Sequence, residues 1–310
     1  MPRRVRLPPE LLGVAFDVEQ GRAHGLGTER LRSGDLARPF HGVRSSADAS
    51  TLLDRCRSYA KRMRSSEFFS HLTAAELWGI PLPRQWSRGD PLHVATVGSV
   101  RSSKCRGIVG HQVFDERVIT TSREGFRVAD AASTWCHLAG ILCQYDLVAA
   151  ADYLVLDPPV PDRSEKRPLV TLTELTDRVN SYRGRGCRRA RAALVRVRAG
   201  SESPRETLLR LRLVDAGLPE PELGVDVFAH DGRWIARLDM FYRTWRVAVE
   251  YDGDQHRTDS RQYDRDITRW DELTDADIRL VRIRKSAMEG NAARAVHLVR
   301  LALRKAGAPY

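Results

Sequence analysis

Lysine is scarce in this chain: of its 51 basic residues only 5 are Lys and 46 are Arg. Cys-x-x-Cys pairs are absent. The five cysteines, at 56, 105, 136, 143 and 187, leave one over in any pairing scheme, so neither a zinc ribbon nor a disulfide framework is expected. Long hydrophobic runs are missing too. The most apolar stretch, residues 138–156, is broken by Asp146 and Asp152 and falls short of the ~20 apolar residues that cross a bilayer. Pro8, Pro9, Glu10 and Asp17 interrupt what would be the apolar part of a signal peptide. These absences point to a cytoplasmic protein with no membrane and no disulfide partner. No repeat of 20–50 residues is visible.

What is present is an ordinary globular composition. The 310 residues are 42% apolar and 29% charged, enough for two domains with sizeable cores. The net charge of +11 is unevenly spread: residues 201–310 hold 19 basic and 19 acidic side chains, whereas residues 158–200 hold 11 and 4. Arg183, Arg185, Arg188, Arg189, Arg191, Arg196 and Arg198 dominate that short stretch, around a helix-compatible Ala/Leu/Val pattern with no acid among them. Such a basic face is an electrostatic footprint for phosphate. Codon bias accounts for most of the Arg-to-Lys ratio but not for its placement, and a solvated helix face is the alternative reading of the run.

Local signals divide the chain into four segments. Residues 1–46 read as a winged-helix-like module of helix, glycine turn (Gly25-Leu-Gly-Thr28), helix and short hairpin. Residues 47–156 read as a mixed helical and strand domain, helical over 47–80 through Phe68, Phe69, Leu72 and Leu77, stranded over 92–128, then helical again. His71 lies on the first helical stretch with no second ligand spaced to join it, and reads as a packed or capping side chain. Residues 157–200 open with a Pro-rich linker containing Pro158, Pro159, Pro161 and Pro168 and continue into the Arg helix. Residues 201–310 form the last domain.

That domain carries the densest pattern. Ser203-Pro204-Arg205-Glu206 is a capping box opening a helix that Gly217 and Pro219 end. Three antiparallel strands follow, separated by the His230-Asp-Gly-Arg233 turn and a turn at Arg243-Thr244. With a side-chain period of two, Asp239 shares a face with Arg237 and Phe241, and Glu250 with Ala248 and Asp252. If those faces coincide, three carboxylates converge and require a cation, and an all-oxygen set suits Mg²⁺ or Mn²⁺. Exposed acids on an edge face are the alternative.

The ordered set Glu206-Thr-Leu-Leu-Arg-Leu-Arg-Leu213, Arg237-Leu-Asp239, Glu250-Tyr-Asp-Gly-Asp-Gln-His256, Asp266-Ile-Thr-Arg269 and Arg279-Leu-Val-Arg-Ile-Arg284 resembles the very-short-patch-repair-like branch of the PD-(D/E)XK nucleases. The resemblance covers residues 201–310. The N-terminal half, through Ser70-His-Leu-Thr-Ala-Ala-Glu-Leu-Trp-Gly79, resembles abortive-infection type IV antitoxin-like winged-helix proteins. Together they imply an α/β (α+β) chain: a restriction-endonuclease-like core of helix, mixed sheet and helix, preceded by a helical and winged-helix module. In the nuclease resemblance Asp239 and Glu250 bind Mg²⁺ or Mn²⁺, with the Tyr251 carbonyl as a third ligand and Glu206 approaching through water. Asp252 stands where the superfamily's usual motif has Lys, so His256 becomes the substitute general base or acid. Asp266 and Arg269 either pair with each other, orient His256, or bring Arg269 to phosphate; Tyr263, Ile267, Trp270 and Leu273 are core. Arg185, Arg188, Arg189, Arg191, Arg282 and Arg284 are the expected DNA contacts. The implied activity is a metal-dependent DNA endonuclease, with self-association into a homodimer left open. The rivals are a DNA-binding regulator that keeps an inactive nuclease scaffold, and an RNA-cleaving nuclease.

Overall fold

The computed structural model describes residues 5–115, 117–162, 165–253 and 269–309. Two compact units divide the chain, the first from residues 1–141 and 177–188, the second from 142–176 and 189–310. The expected boundaries at 156/157 and 200/201 therefore both fall inside the second unit. The polypeptide crosses between units at three places rather than at the Pro-rich linker.

In the first unit, β1 (Ala15–Asp17), α1 (Val18–Ala23), α2 (Thr28–Arg32) and β2 (Val43–Ser45) follow one another. The two short helices stand where expected; Ala37 and Ser45 make an antiparallel bridge with two hydrogen bonds, and β2 also pairs antiparallel with β1 ahead of the helices. After α3 (Leu52–Ala60) come β3 (Phe68–Phe69) and α4 (His71–Leu77). Phe68 and Phe69, expected on a helix face, are instead a buried strand at the centre of a five-stranded sheet. Tertiary burial on both sides overrides the local helical period there. The remaining strands are β4 (Leu92–Val97), β5 (Ile108–Val113), β6 (Thr120–Arg123) and β7 (Phe126–Ala129), in the order β5-β4-β3-β7-β6, followed by α5 (Ala131–Leu138).

The second unit contains α6 (Gln144–Val155); the division between units then passes through α7 (Leu172–Ser181) and α8 (Cys187–Leu194). Next come α9 (Pro204–Asp215), β8 (Glu222–Phe228), β9 (Trp234–Tyr242), β10 (Val247–Asp252), a helical segment over 269–275, β11 (Arg279–Arg284) and α10 (Glu289–Lys305). β8, β9 and β10 form the antiparallel meander that the turn signals predict, and β11 adds to β10 in parallel. Leu209 and Leu213 of α9 share a core with Met240, Val249, Ile283 and the α10 residues Ala295, Val299 and Leu303. A separate core joins Phe241 and Ala248 to Leu273, Ala276 and Ile278. The result is helix, mixed sheet and helix, an α+β arrangement.

One irregularity shapes the site. Leu223 packs with the first of these cores, whereas Val225 and Val227 pack with the second; likewise Ala236 and Leu238 lie in the second and Met240 in the first. Both strands thus change face between the Leu223–Met240 and Val225–Leu238 pairs. Gly224, with φ +56°, makes the change on β8, where a Cβ would lie 2.7 Å from Arg237 Nη2 and 2.9 Å from the Gly200 carbonyl oxygen. Only glycine suits that conformation and that space. Asp239 sits beside this switch, which a strict period of two does not contain.

Candidate functional site

Backbone pairing between β9 and β10 stops at Met240–Val249, while β10 stays paired with β11 through Asp252–Arg284. Beyond that stop the Asp239 carboxylate, not a backbone carbonyl, accepts the Tyr251 amide at 2.8 Å. Glu250, 9% exposed, is held by the Arg269 guanidinium, which also donates to the Arg237 carbonyl at 3.1 Å. Glu206 arrives from the start of α9. Ser203 Oγ accepts the Glu206 amide at 3.2 Å, one half of the expected capping box, but the Glu206 carboxylate takes the Glu202 amide at 2.8 Å instead of closing the box.

Burial and mutual repulsion mark these acids as one cluster. Burial pushes Asp239 up to about 6, with the charges of Glu250 and Glu202 adding to it against the pull of the Tyr251 amide. Burial, then the charge of Asp239, pushes Glu206 up to about 7. Raised carboxylates of this kind are short of positive charge, and an all-oxygen set suits a hard divalent cation. Among the described residues, however, no group of three or more His, Cys, Asp or Glu side chains is gathered closely enough to hold a metal ion. Arg269 is the cation at Glu250.

Asp252 does not join the buried group. It pairs with Arg284 at 3.9 Å at the exposed end of β10, both side chains being well solvated. Arg282 stands opposite Glu250 in the β10–β11 register, and its guanidinium lies over Trp270, 5.6 Å from the ring centroid. Trp270, expected in the core, is 52% exposed, whereas Leu273 is fully buried. His256 and Asp266, with Tyr263 and Ile267, lie outside the described residues.

The arginine run is split. Arg185 and Arg188 belong to the first unit and Arg189 and Arg191 to the second. Arg189 donates to the Leu142 carbonyl at 2.9 Å, and two other members of the run find acids far along the chain: Arg196 with Asp215 at 2.6 Å and Arg198 with Glu220 at 2.7 Å. The absence of acids within the run therefore overstates its repulsion, because tertiary structure brings acids from outside it.

The first unit holds a second cluster. His71 has no ligand-spaced neighbour in sequence, yet its ring stacks 3.5 Å from that of His111 and 4.7 Å from that of His137, and His93 lies 5.0 Å from His111. His93 Nδ1 and His111 Nε2 share a hydrogen bond at 2.9 Å, His71 Nδ1 and Ser70 Oγ another at 2.9 Å, and neither ring nitrogen of buried His137 has a partner. Burial drives all four below the usual imidazole range, His111 to about 4 and His137 to about 3. Two helices and two strands supply one histidine each, so no local spacing signals the cluster.

These two sites belong to a mixed α/β chain. No protein-family model matches it, and no solved structure does. It is similar to Uncharacterized protein MT2308 of Mycobacterium tuberculosis (strain CDC 1551 / Oshkosh) and Uncharacterized protein Rv2248 of strain ATCC 25618 / H37Rv. Each is 28% identical over 246 residues, 79% of this chain and 83% of the relative. That span is longer than either unit, so it includes residues of both.

Proposed function

We propose that the second unit is a divalent-cation-dependent phosphodiesterase acting on DNA, an endodeoxyribonuclease. The observation that carries this reading is the placement of Asp239 against β10, where its buried carboxylate accepts the amide of Tyr251, the residue after Glu250, at 2.8 Å, with the charge of Glu250 raising Asp239 and the charge of Asp239 raising Glu206. Asp239 and Glu250 hold Mg²⁺ or Mn²⁺, which when bound supplies charge to the phosphoryl oxygens and lowers the pKa of water. Glu206, raised by burial and by the charge of Asp239, approaches the metal through water. Arg282 and the exposed Trp270 ring flank the cluster and orient the substrate backbone. His256 is the general base or acid, and its replacement by Ala lowers turnover by roughly 10²–10⁴-fold.

A second reading is favoured by the Arg269–Glu250 pair: a DNA-binding regulator in which Arg269 replaces the cation and the core is only a scaffold. Nicking of plasmid DNA, single-stranded DNA and RNA in Mg²⁺ or Mn²⁺ separates the two. Asp239→Asn and Glu250→Gln are expected to abolish cleavage and to keep DNA affinity. Wild-type rates in both variants would remove the metal assignment, and tight DNA binding without any nicking by wild type would establish the regulator. Cleavage of RNA alone would transfer the same chemistry to the other nucleic acid.

A further inference from the structure

The first unit contains a cleft of about 1060 Å³ whose charged lining is entirely cationic: Arg38, Arg44, Arg55, Arg62, Lys104 and Arg106. No carboxylate lines it. Among the described residues none of the six makes an ion pair with an acid. Backbone oxygens aim four of them instead: Arg38 donates to the Arg32 carbonyl at 2.6 Å, Arg44 to Leu31 at 2.5 Å and Val43 at 2.9 Å, Arg55 to Pro39 at 3.4 Å, and Arg62 to His41 at 2.8 Å. A carbonyl fixes a guanidinium's direction and leaves its charge uncancelled.

Arg55 is the most committed of the set. Its guanidinium lies over the Phe40 ring, 4.4 Å from the centroid, and its Nε is buried without a partner. Gly107, with φ +81°, makes room for it, since a Cβ there would stand 2.9 Å from Arg55 Nη2. Burial lowers Arg44, and the neighbouring charges of Arg38 and Arg32 lower it further. Unpaired guanidinium groups held this close repel one another unless an anion lies between them, and the planar fork of Arg matches phosphate.

We propose that this cleft is a phosphate-binding site that holds successive backbone phosphates of a nucleic acid. Six cations exceed what one phosphate requires, and the volume stands at the top of the roughly 300–1,000 Å³ range of small-ligand pockets, so several phosphates in series fit the charge and the space better than one free anion. The inference rests on the nucleic-acid reading above for its ligand. It adds a site in the other unit, apart from the carboxylate cluster and from the arginine run.

The test titrates full-length protein with a duplex oligonucleotide across salt concentrations, and separately with inorganic pyrophosphate, in buffer free of divalent cation. Arg62→Gln, Lys104→Gln and Arg106→Gln are combined; Lys104 and Arg106 are exposed, and an unchanged thermal melt establishes that the variant folds. Every phosphate that a removed cation no longer neutralises should reduce the log–log salt slope by about 0.9, so the triple variant is expected to lose two to three units of slope and at least tenfold in affinity. Arg62→Lys with Arg106→Lys should restore most of the slope. Unchanged slope and affinity would overturn the site. Loss of pyrophosphate binding with an unchanged DNA slope would overturn the nucleic-acid assignment and leave a small-anion pocket. Because no divalent cation is present, a protein that never cleaves DNA still answers the question, and a protein that cleaves in Mg²⁺ but shows an unaltered slope sinks the cleft alone.

Discussion

Burial disfavours the charged form in both units, but the two units answer it differently. In the first, four imidazoles are stacked with few hydrogen-bond partners and driven toward neutrality, His137 having none at all. In the second, burial raises Asp239 and Glu206, yet each buried acid is met by a donor: Tyr251 N–H for Asp239, Arg269 for Glu250, Glu202 N–H for Glu206. A further acid outside that cluster goes furthest. Asp152, 1% exposed, receives Arg210 at 2.9 Å, Thr207 Oγ1 at 2.9 Å and the Arg198 amide at 2.8 Å. The contrast shows how differently a group is used when burial is answered with partners and when it is answered by discharge. A partnered acid can keep its charge and attract cations; a stacked neutral histidine contributes ring contacts and unmet lone pairs.

The largest expected effect tests partnering directly. Arg210→Met leaves Asp152 buried without its cation and should cost about 3–5 kcal/mol in urea unfolding, while Asp152→Leu combined with Arg210→Met should recover most of it. A loss below about 1 kcal/mol in the single variant would mean that pairing is not what allows Asp152 to be buried.

Next comes the carboxylate cluster, where the sign is opposite. Asp239 moves from 3.8 to about 6 on folding, so the folded chain binds more protons in that window and stability falls as pH rises through it. Asp239→Asn removes that loss and should raise stability at pH 7 by up to about 3 kcal/mol, at about 1.36 kcal/mol per pKa unit. Added Mg²⁺ should stabilise wild type at pH 7 and leave the Asn variant unmoved. A variant less stable than wild type at pH 7 would overturn the direction.

At pH 7 the smallest titration effect belongs to the histidines, whose shifts act only in acid. Their folded pKa values are depressed from 6.5, to about 4 for His111 and about 3 for His137. Stability is therefore complete above pH 6.5 and is lost as pH falls, because the unfolded chain takes up protons first. The slope should be about 1.4 kcal/mol per pH unit for each histidine titrating only in the unfolded chain. His137→Phe should flatten the acid limb of a plot of Tm against pH; an unaltered limb would mean that His137 is protonated in the folded protein.

Much of the second unit is legible in the sequence because its signals are local. Ser203-Pro204 starts α9, Asp231-Gly232 turns β8 into β9, and alternation marks the strands, since caps, turns and side-chain period depend on neighbours within a few residues. Asp239 and Glu250 are recognisable on the same grounds. Asp252 is not placed correctly, because period two carries it along with Glu250 whereas the strand's end is solvated; Glu206, which local signals explain only as a cap, enters through the resemblance of the whole ordered set. Helical spacing places Trp270 in the core, but spacing identifies a stripe and not how far the neighbouring sheet extends to cover it.

Local sequence is enough to set the elements of the second unit, the residue types of its acid cluster and the lack of a long apolar helix; among the described residues none is long and apolar enough to cross a membrane. Only the folded chain makes Phe68-Phe69 a central strand, takes residues 142–155 from the N-terminal half into the second unit, and brings Arg196 and Arg198 to acids. The same holds for the stacking of His71, His93, His111 and His137, and for the six cations that face one cleft without a carboxylate. All of these depend on contacts between segments distant along the chain, whose cost in chain entropy is met by burying surface in the whole fold, and no local pattern records where that surface will be.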